Sequence, residues 1–348
     1  CSIGGINLAS KRILDIKNLS IDFKTYDGLS TVVQNVDLHI NKGEIIGLAG
    51  ESGCGKTVTA KTILGTLPRP PGNISSGSIM FNNEDLLQKT PKELSVLRGK
   101  EFALIPQEPT SFLNPVFKVG DQMVDMYLFH GRPDVGLLRY YRDSKNKDDR
   151  KEARDRAIEM LHSVNIPDPE RVTNSYPFEL SGGMKQRVLI AMALMWKPSF
   201  LIADEPATAL DVSVGDQVNE LLETRVREEG ISVLYITHDL GVAKRLCDRI
   251  YVMYAGNVVE TATTEKFFNN PKHPYTHGLL QSVPKIYGEM SRGIEGAVPN
   301  YYSPPTGCRF HPRCQHAMPI CKKSKPSYTN IDDEHVTACY LYEENKNE

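Results

Sequence analysis

Short runs of alternating or β-branched hydrophobic residues occupy the N-terminal part of the chain. Three of them, ILDIKNLSIDF, TVVQNVDLHI and EIIGLAG, lie within residues 12–50 and are punctuated by Asp27-Gly28 and Lys42-Gly43. A hydrophobic period of two is typical of half-buried strands, and Gly-containing pairs are typical of turns. This part of the sequence therefore predicts a series of strands joined by turns.

The hydrophobic period then changes to that of a helix. Apolar residues recur at helical spacing over Thr57–Leu67, and the Pro-rich stretch Pro68–Gly72 ends this helix. Ser78–Phe81 has the pattern of another strand. From about Asn114 to Glu179, the segments DQMVDMYLF and RKEARDRAIEMLHSV have helical period, with the charged stretch Arg139–Arg150 between them. We predict a helical subdomain that carries a solvated insertion.

Strand patterns return in the second half, in the segments SFLIADE, ISVLYITH and RIYVMYAG, with helices between them. This alternation predicts an α/β core with a parallel sheet. After about Pro271 the chain is rich in Pro, Gly and Tyr and has little periodicity. That segment is predicted to be a small irregular extension.

Composition excludes several classes of protein. The chain has 348 residues, which exceeds a typical domain and predicts two domains or one large and one small. Hydrophobic residues make up 40% and charged residues 24%, as in ordinary globular proteins. The net charge of −2 disfavours binding to nucleic acid through bulk charge. Since no apolar run reaches about 18 residues, we expect membrane contact only through a partner.

The strongest chemical motif is Gly50-Glu-Ser-Gly-Cys-Gly-Lys-Thr57, which matches the P-loop pattern. A predicted strand enters it and a predicted helix leaves it, so backbone N–H groups and the helix dipole would converge on phosphate. Lys56 is expected to reach the β- and γ-phosphates, and Thr57 is expected to coordinate Mg²⁺. We interpret Cys54 as a small residue in a turn rather than as a reactive thiol. The predicted nucleotide-binding residues of the loop are Gly50, Ser52, Gly53, Cys54, Gly55, Lys56 and Thr57.

A second motif is an apolar strand that ends in two acids. Phe200–Ala203 is followed by Asp204 and Glu205. Ligands of open α/β sheets bind at the carboxyl ends of the strands. We expect Asp204 to hold Mg²⁺ through water and Glu205 to orient and polarise the attacking water. Alone, the pattern is equally consistent with a solvated strand end, but its place after a P-loop favours the catalytic interpretation.

The third motif is LSGGMKQR at residues 180–187, where Ser181 is a good N-cap for the helical segment that follows. It predicts a second anion-binding helix N-terminus. One nucleotide cannot occupy two separate phosphate sites on one chain. We therefore expect a head-to-tail dimer, in which this LSGGMKQR motif (the signature) of one subunit covers the γ-phosphate held by the other. The predicted signature residues are Ser181, Gly182, Gly183 and Met184.

Together these motifs resemble the ATP-binding-cassette (ABC) ATPases. The P-loop, LSGGMKQR, FLIADEP and TALD occur in the family order within residues 12–270. The resemblance implies a nucleotide-binding domain over 12–270, with a P-loop NTPase α/β core, an antiparallel β subdomain and a helical subdomain at about 114–179. It also implies ATP and Mg²⁺ as cofactors and ATP hydrolysis as the activity.

The same resemblance assigns roles to residues that would otherwise be ordinary polar groups. Gln107 would be the Q-loop glutamine that contacts Mg²⁺ and the attacking water. Asp211 would be the D-loop acid, and His238 would hydrogen-bond the γ-phosphate. Tyr26 would be the aromatic platform for adenine, with Phe23 as the alternative, because spacing does not decide between them.

The C-terminal segments HPYTHGLL, from residue 273, and GCRFHPRC, up to residue 314, resemble the extension of the oligopeptide and dipeptide importer ATPases. This implies a C-terminal region over 271–348 and import of peptides or related solutes. The implied partners are a second, different ATPase subunit, two integral-membrane permease subunits and, indirectly, an extracytoplasmic solute-binding protein. The chain would lie at the cytoplasmic face of the cell membrane and bind no nucleic acid.

Of the seven cysteines, four lie near the C-terminus with the spacing Cys308-x5-Cys314-x6-Cys321-x17-Cys339. These gaps are wider than those of most zinc knuckles and suit an iron–sulfur cluster better. The resemblance to importer ATPases with this cysteine pattern implies a [4Fe-4S] cluster. Zinc, and disulfides or free thiols, stay open as alternatives.

Three other functions are consistent with the sequence. The first is an importer ATPase of the same family that serves oligosaccharides or nickel. The second is a non-transport ABC ATPase, although such chains usually carry two cassettes or a long coiled-coil insertion. The third is a regulatory module that holds ATP without turnover, against which the acid at Glu205 argues.

Overall fold

The computed structural model describes residues 12–26, 28–130, 146–282 and 293–343. The described backbone forms two compact units. The first unit contains the residues up to 87 and those from 235 onward, and the second contains residues 88–234. Of the predicted charged insertion, residues 139–145 lie outside the described residues.

The strands that position the sites are, in chain order, β1 (Arg12–Thr25), β2 (Gly28–Asn41), β3 (Ile45–Ala49), β4 (Gly72–Phe81), β5 (Glu84–Asp85), β6 (Phe102–Ile105), β7 (Phe200–Asp204), β8 (Ser232–Thr237), β9 (Arg249–Tyr254), β10 (Asn257–Thr263), β11 (Thr329–Asp332) and β12 (His335–Thr337). The helices are α1 (Lys56–Ile63), α2 (Pro91–Lys100), α3 (Val119–Phe129), α4 (Lys147–Ser163), α5 (Pro169–Asn174), α6 (Gly182–Leu194), α7 (Val212–Glu229), α8 (Leu240–Leu246), α9 (Thr264–Asn269) and α10 (Pro274–Gln281).

The first unit contains the predicted antiparallel β part, with strand order β2-β1-β4-β5. The alternation along β1 buries Leu14 and Ile16 on one face, and Ile21 is buried farther along the strand. The pairing of β1 with β2 shifts register between Ile16 and Leu19, which keeps Leu19 buried as well. A register shift of this kind bends a strand and increases its twist.

A second group of strands in the first unit has the order β11-β12-β10-β9-β3. β3 and β9 run parallel, with Gly47 opposite Ile250, and both are almost wholly buried. Parallel strands covered on both faces require continuous apolar runs, which IIGLA and IYVMY supply.

The C-terminal region differs in one respect from the predicted irregular extension. β12 pairs antiparallel with β10, with Glu260 opposite Thr337, and β11 pairs with β12. These strands have only four and three residues, too few to show a period in the sequence. A buried hydrogen bond joins the same strands, because His335 Nε2 lies 2.7 Å from Glu260 Oε1.

The second unit contains the predicted helical part. α3 packs against α4 and α5, and α4 packs against α6. The parallel strands β6 and β7 pair in the same unit, with Leu104 opposite Ile202. The predicted α/β architecture with antiparallel and helical parts is therefore confirmed.

Candidate functional site

The P-loop of the first unit has the predicted strand–loop–helix setting. β3 is buried along its whole length, and α1 begins directly at Lys56. Lys56 is buried, and its ammonium donates to the carbonyl oxygens of Gly50 at 2.8 Å and Glu51 at 3.1 Å. The side chain therefore bends back over the loop, with its charge inside the turn.

Close packing explains the glycine at the start of the loop. A Cβ on Gly50 would lie 2.1 Å from the carbonyl oxygen of Met253, so any side chain there would displace β9. Cys54 is buried with its Sγ 3.8 Å from Lys56 Nζ, and burial raises the pKa of its thiol. The thiol is therefore neutral near pH 7, consistent with a small turn residue and not with a reactive thiolate.

The other predicted nucleotide-binding positions of the first unit lie on its surface. Ser52, Gly53 and Thr57 are exposed around the same loop. Tyr26 is fully exposed beside β1, and His238 is exposed directly after β8. Phe23, the alternative to Tyr26, is half-buried within β1. Exposure therefore makes Tyr26 the more accessible aromatic face.

The second unit holds the two acids at the carboxyl end of β7. Asp204 and Glu205 are both half-buried there. The Glu205 carboxylate accepts hydrogen bonds from Gln107 Nε2 and from Thr208 Oγ1, each at 3.2 Å. Glu205 has a φ of 48°, a left-handed conformation that costs a non-Gly residue roughly 1–3 kcal/mol and is concentrated at functional sites. The fold thus pairs the predicted Q-loop amide with the predicted catalytic acid.

The signature and the D-loop pack against each other in the second unit. Ser181 caps α6 as predicted, because its hydroxyl accepts from the backbone N–H of Met184 at 3.3 Å. Asp211 caps α7 by accepting from Val214 N at 3.0 Å. A Cβ on Gly183 would approach Val214 Cγ1 to 2.5 Å, so glycine permits this close contact. Gly182 is exposed at the same helix end.

The four C-terminal cysteines converge on one small cavity of about 20 Å³ in the first unit. Burial raises the pKa of the Cys308 and Cys314 thiols, and it raises that of Cys339 to about 11. Among the residues described, no group of three or more His, Cys, Asp or Glu side chains is arranged to hold a metal ion. Thiol donors are thus brought together, without the geometry of a finished metal centre.

Sequence reasoning missed three C-terminal residues that hold the P-loop. Tyr275, Tyr301 and Arg313 all bond to it. They lie more than two hundred residues from the loop, and no motif links them to it. The only signal available was the density of Tyr in the C-terminal segment, where residues 271–348 hold seven of the 15 tyrosines of the chain.

None of the helices in the described ranges has the length and apolar character needed to cross a membrane.

Comparison with known proteins shows which families this chain resembles. The family described as "ABC transporter" matches residues 33–208, and the one described as "Oligopeptide/dipeptide transporter, C-terminal region" matches residues 259–321. The dipeptide transport ATP-binding protein DppD of Bacillus subtilis is 41% identical over 96% of this chain and 96% of its own length. The probable D,D-dipeptide transport ATP-binding protein DdpD of Escherichia coli is 42% identical over 94% of this chain and 96% of its own length.

Solved structures support the ABC ATPase part of this assignment. The ATP-binding cassette MJ0796, in a dimeric post-hydrolysis state bound to ADP and Pi, is 27% identical with a TM-score of 0.60, covering 72% of this chain and 98% of that one. CbiO1 of Clostridium perfringens, part of an ABC transporter complex, is 26% identical with a TM-score of 0.59, covering 74% of this chain and 91% of that one. The chain therefore belongs to the ABC transporter ATPases, among the ATP-binding subunits of oligopeptide and dipeptide transporters.

Proposed function

We propose that this ATPase subunit of a peptide or dipeptide ABC importer hydrolyses ATP with Glu205 as the residue that polarises the attacking water. The observation that carries this assignment is the hydrogen bond between Gln107 Nε2 and Glu205 Oε2 at 3.2 Å. Gln107 cannot take up a proton and Glu205 can, so the pair combines an orienting amide with a base. The Thr208 hydroxyl holds the same carboxylate oxygen and limits its rotation.

The remaining roles follow from donor chemistry. Lys56 would neutralise the β- and γ-phosphates, with the N–H groups of the loop around them. Thr57, Asp204 and Gln107 offer oxygen donors, the ligands Mg²⁺ prefers, with Asp204 acting through water. Bound Mg²⁺ would neutralise charge on the phosphates. His238 would hydrogen-bond the γ-phosphate, and Tyr26 would stack on adenine.

A second ATPase subunit completes the site in this proposal. The backbone N–H groups at Gly182, Gly183 and Met184 would cover the γ-phosphate bound by the partner, with Ser181 and Asp211 holding this region in shape. Exposed Gly182 at the first turn of α6 supports this role. ATP binding would close the dimer and hydrolysis would release it. We propose a heterodimer, two permease subunits, and an indirect link to an extracytoplasmic solute-binding protein, at the cytoplasmic face of the membrane.

Peptides are the proposed cargo. The relatives named above are dipeptide and D,D-dipeptide transport proteins, and both match nearly the whole chain. This supports peptides over oligosaccharides or nickel, and transport over a non-transport role. We further propose 12–270 as the nucleotide-binding domain, with its helical subdomain at about 114–179, and 271–348 as the extension.

Assembly tests this function. The chain alone is expected to hydrolyse ATP slowly, because the partner's signature is absent from its site. Co-purification with the second ATPase and the two permeases in lipid should raise turnover, and a peptide-loaded binding protein should raise it further. The measurements are phosphate release and uptake of labelled peptide, with the same binding protein free of peptide as the control. Equal turnover by the isolated chain and the complex, or no peptide uptake, would contradict the proposal.

An apolar groove of about 450 Å³ in the second unit offers a contact surface for the proposed permease subunits. Trp196 lies on its wall, stacked at 4.5 Å on Tyr127 and at 4.3 Å on His130. Phe112, also on the wall, is 55% exposed. A groove of this kind suits the apolar face of one helix, and we propose a cytoplasmic helix of a permease as its occupant.

A photo-crosslinking amino acid in place of Phe112 tests this contact. In the assembled transporter it should label a permease subunit. The same amino acid in place of Tyr302, an exposed aromatic of the C-terminal extension, serves as the matched control and should not. Permease labelling from position 302 alone would place the contact on the extension and refute the groove.

For the four cysteines we propose a [4Fe-4S] cluster with a structural role, and zinc as the alternative. Support comes from the donor set, since Cys308, Cys314, Cys321 and Cys339 line one cavity. Thiolates are the ligands of such clusters. The cavity has room for about one water, so the thiols would have to be deprotonated and rearranged to take up a group of that size. Ligation would then stabilise a segment with little core of its own.

Anaerobic purification distinguishes the alternatives. Protein with the cluster should be brown and contain iron and acid-labile sulfide, and Cys339→Ser should reduce both. Cys247→Ala, which removes a buried cysteine outside the cavity, is the matched control and should leave the iron content unchanged. Colourless anaerobic protein with stoichiometric zinc, or with paired disulfides by mass spectrometry, would reject the cluster and leave the ATPase assignment intact.

A further inference from the structure

An ion pair joins the P-loop to the C-terminal extension within the first unit. Arg313 NH1 lies 2.7 Å from Glu51 Oε2, and Arg313 NH2 lies 3.1 Å from Glu51 Oε1. This is the bidentate geometry in which a guanidinium fixes a carboxylate in both position and plane. Glu51 directly follows Gly50, so the ion pair tethers a side chain of the loop itself.

The guanidinium of Arg313 is itself held firmly. Its Nε donates to the carbonyl oxygen of Glu295 at 2.9 Å, and NH2 donates to that of Ile294 at 3.0 Å. NH1 also reaches the Tyr254 hydroxyl at 3.4 Å, and the side chain is only 5% exposed. A side chain with so many partners and so little exposure has lost its rotamer freedom. Arg313 therefore presents a rigid anchor to Glu51, unlike a surface ion pair between two mobile side chains.

Two tyrosines hold neighbouring points of the same loop. The Tyr301 hydroxyl donates to the carbonyl oxygen of Gly53 at 2.7 Å. The Tyr275 hydroxyl accepts from the backbone N–H of Glu51 at 3.0 Å. The loop is thus bonded to the C-terminal extension at residues 51 and 53. The bonds involve the Glu51 side chain, the Glu51 N–H and the Gly53 carbonyl oxygen.

Glycine-rich loops lose more conformational entropy on ordering than other segments. A loop that is already ordered pays less of this cost when phosphate binds, and the difference appears as affinity. The bonds to the Gly53 carbonyl oxygen and to the Glu51 side chain use no backbone N–H group of the loop, so they do not compete with phosphate for these donors. Such bonds should affect ATP binding more than the chemical step, because they touch no reacting atom.

We propose that Arg313 and Tyr301 are positioning residues of the ATP site, through which the C-terminal extension sets the affinity of the P-loop for nucleotide. The inference rests on the proposed binding of ATP phosphates by this loop. Under this proposal the C-terminal extension takes part in the ATPase cycle, because two of its residues order the nucleotide-binding loop. Because Arg313 directly precedes Cys314, the same short segment carries the anchor and part of the cysteine cavity.

The test measures the KM for ATP and kcat of the assembled transporter, and ATP affinity of the full chain by calorimetry. Arg313→Ala should raise the KM about tenfold, the size expected for coupled neighbours in one network, with kcat within about twofold. Arg313→Lys, which keeps the charge but loses the fork, should recover part of the affinity. Tyr301→Phe, which removes a single oxygen, should raise the KM about fivefold.

Matched controls separate positioning from general damage. Lys323→Ala removes an exposed positive charge from the extension, and Tyr302→Phe removes the hydroxyl of the adjacent tyrosine; both should keep the wild-type KM. The double variant Glu51→Gln with Arg313→Ala should lose less free energy of ATP binding than the two single variants lose together. The thermal midpoint of each variant is measured to show that it is folded. If Arg313→Ala is unstable, the KM of Tyr301→Phe tests the positioning role instead.

The outcomes are distinguishable from those of the proposed function. An unchanged KM in folded Arg313→Ala and Tyr301→Phe would overturn the positioning role, and so would a loss confined to kcat. If these variants bind ATP as the wild type does while Lys56→Ala does not, only the positioning role fails. If the wild type does not bind ATP, the proposed function fails and the positioning role falls with it.

Discussion

Glu205→Gln is expected to leave ATP bound and to lower its hydrolysis by about a hundredfold or more, the usual contribution of a general base. The amide has nearly the shape of the carboxylate and can still accept from Thr208, which now bonds one Glu205 oxygen at 3.2 Å. It cannot take the proton of the attacking water. ATP should therefore persist, and the dimer that ATP closes should accumulate.

The measurement is phosphate release by the assembled transporter, with nucleotide occupancy and dimer content determined on the same sample. Glu108→Gln is the matched control, because it neutralises an exposed acid close to Gln107 that has no assigned role. It should hydrolyse ATP at the wild-type rate. Wild-type turnover by Glu205→Gln would show that another group activates the water.

Lys56→Ala is expected to weaken ATP binding by a factor of about ten to a hundred, since a hydrogen bond to a charged group contributes roughly 1.5–3 kcal/mol. Lys56 is buried, and its ammonium bonds to Gly50 and Glu51 inside the bend of the loop. Alanine removes this charge and leaves the loop with only its backbone N–H groups as donors to the phosphates. The change in free energy of binding should appear in calorimetry and as a loss of turnover at fixed ATP.

Lys61→Ala serves as the control, because Lys61 is an exposed lysine of the same helix, α1. It should bind ATP normally. The thermal midpoint of Lys56→Ala should be measured without nucleotide, since the lost bonds to the loop carbonyls lower stability by themselves. Unaltered ATP affinity and rate in Lys56→Ala would exclude this loop as the nucleotide site.

Features set by neighbouring residues were predictable from the sequence. The P-loop needs a buried strand, six loop residues and a helix in immediate succession, and all three signals lie within Glu44–Leu67. The cap at Ser181 involves a partner only three residues away, and the structure shows the predicted hydrogen bond. The antiparallel and helical parts follow from hydrophobic periods that repeat within each element. In each case the determining interaction is local, so residue type and spacing suffice.

Features that join distant parts of the chain depended on the tertiary structure. Gln107 and Glu205 are separated by 98 positions, and their contact follows from the pairing of β6 with β7. β12 adds to β10 across more than seventy residues, through three positions without a readable pattern.

The ion pair of Arg313 with Glu51 spans 262 positions. In the sequence, Glu51 and Arg313 are ordinary charged residues, and no motif links them. The sequence by itself determined the strand, loop and helix of the P-loop motif, the acid-ended strand and the capped helix of the LSGGMKQR motif, because local chemistry specifies them. Only the tertiary structure decided which distant polar groups contact one another. A hydrogen bond depends on the positions of both partners, and a local sequence pattern describes only one of them.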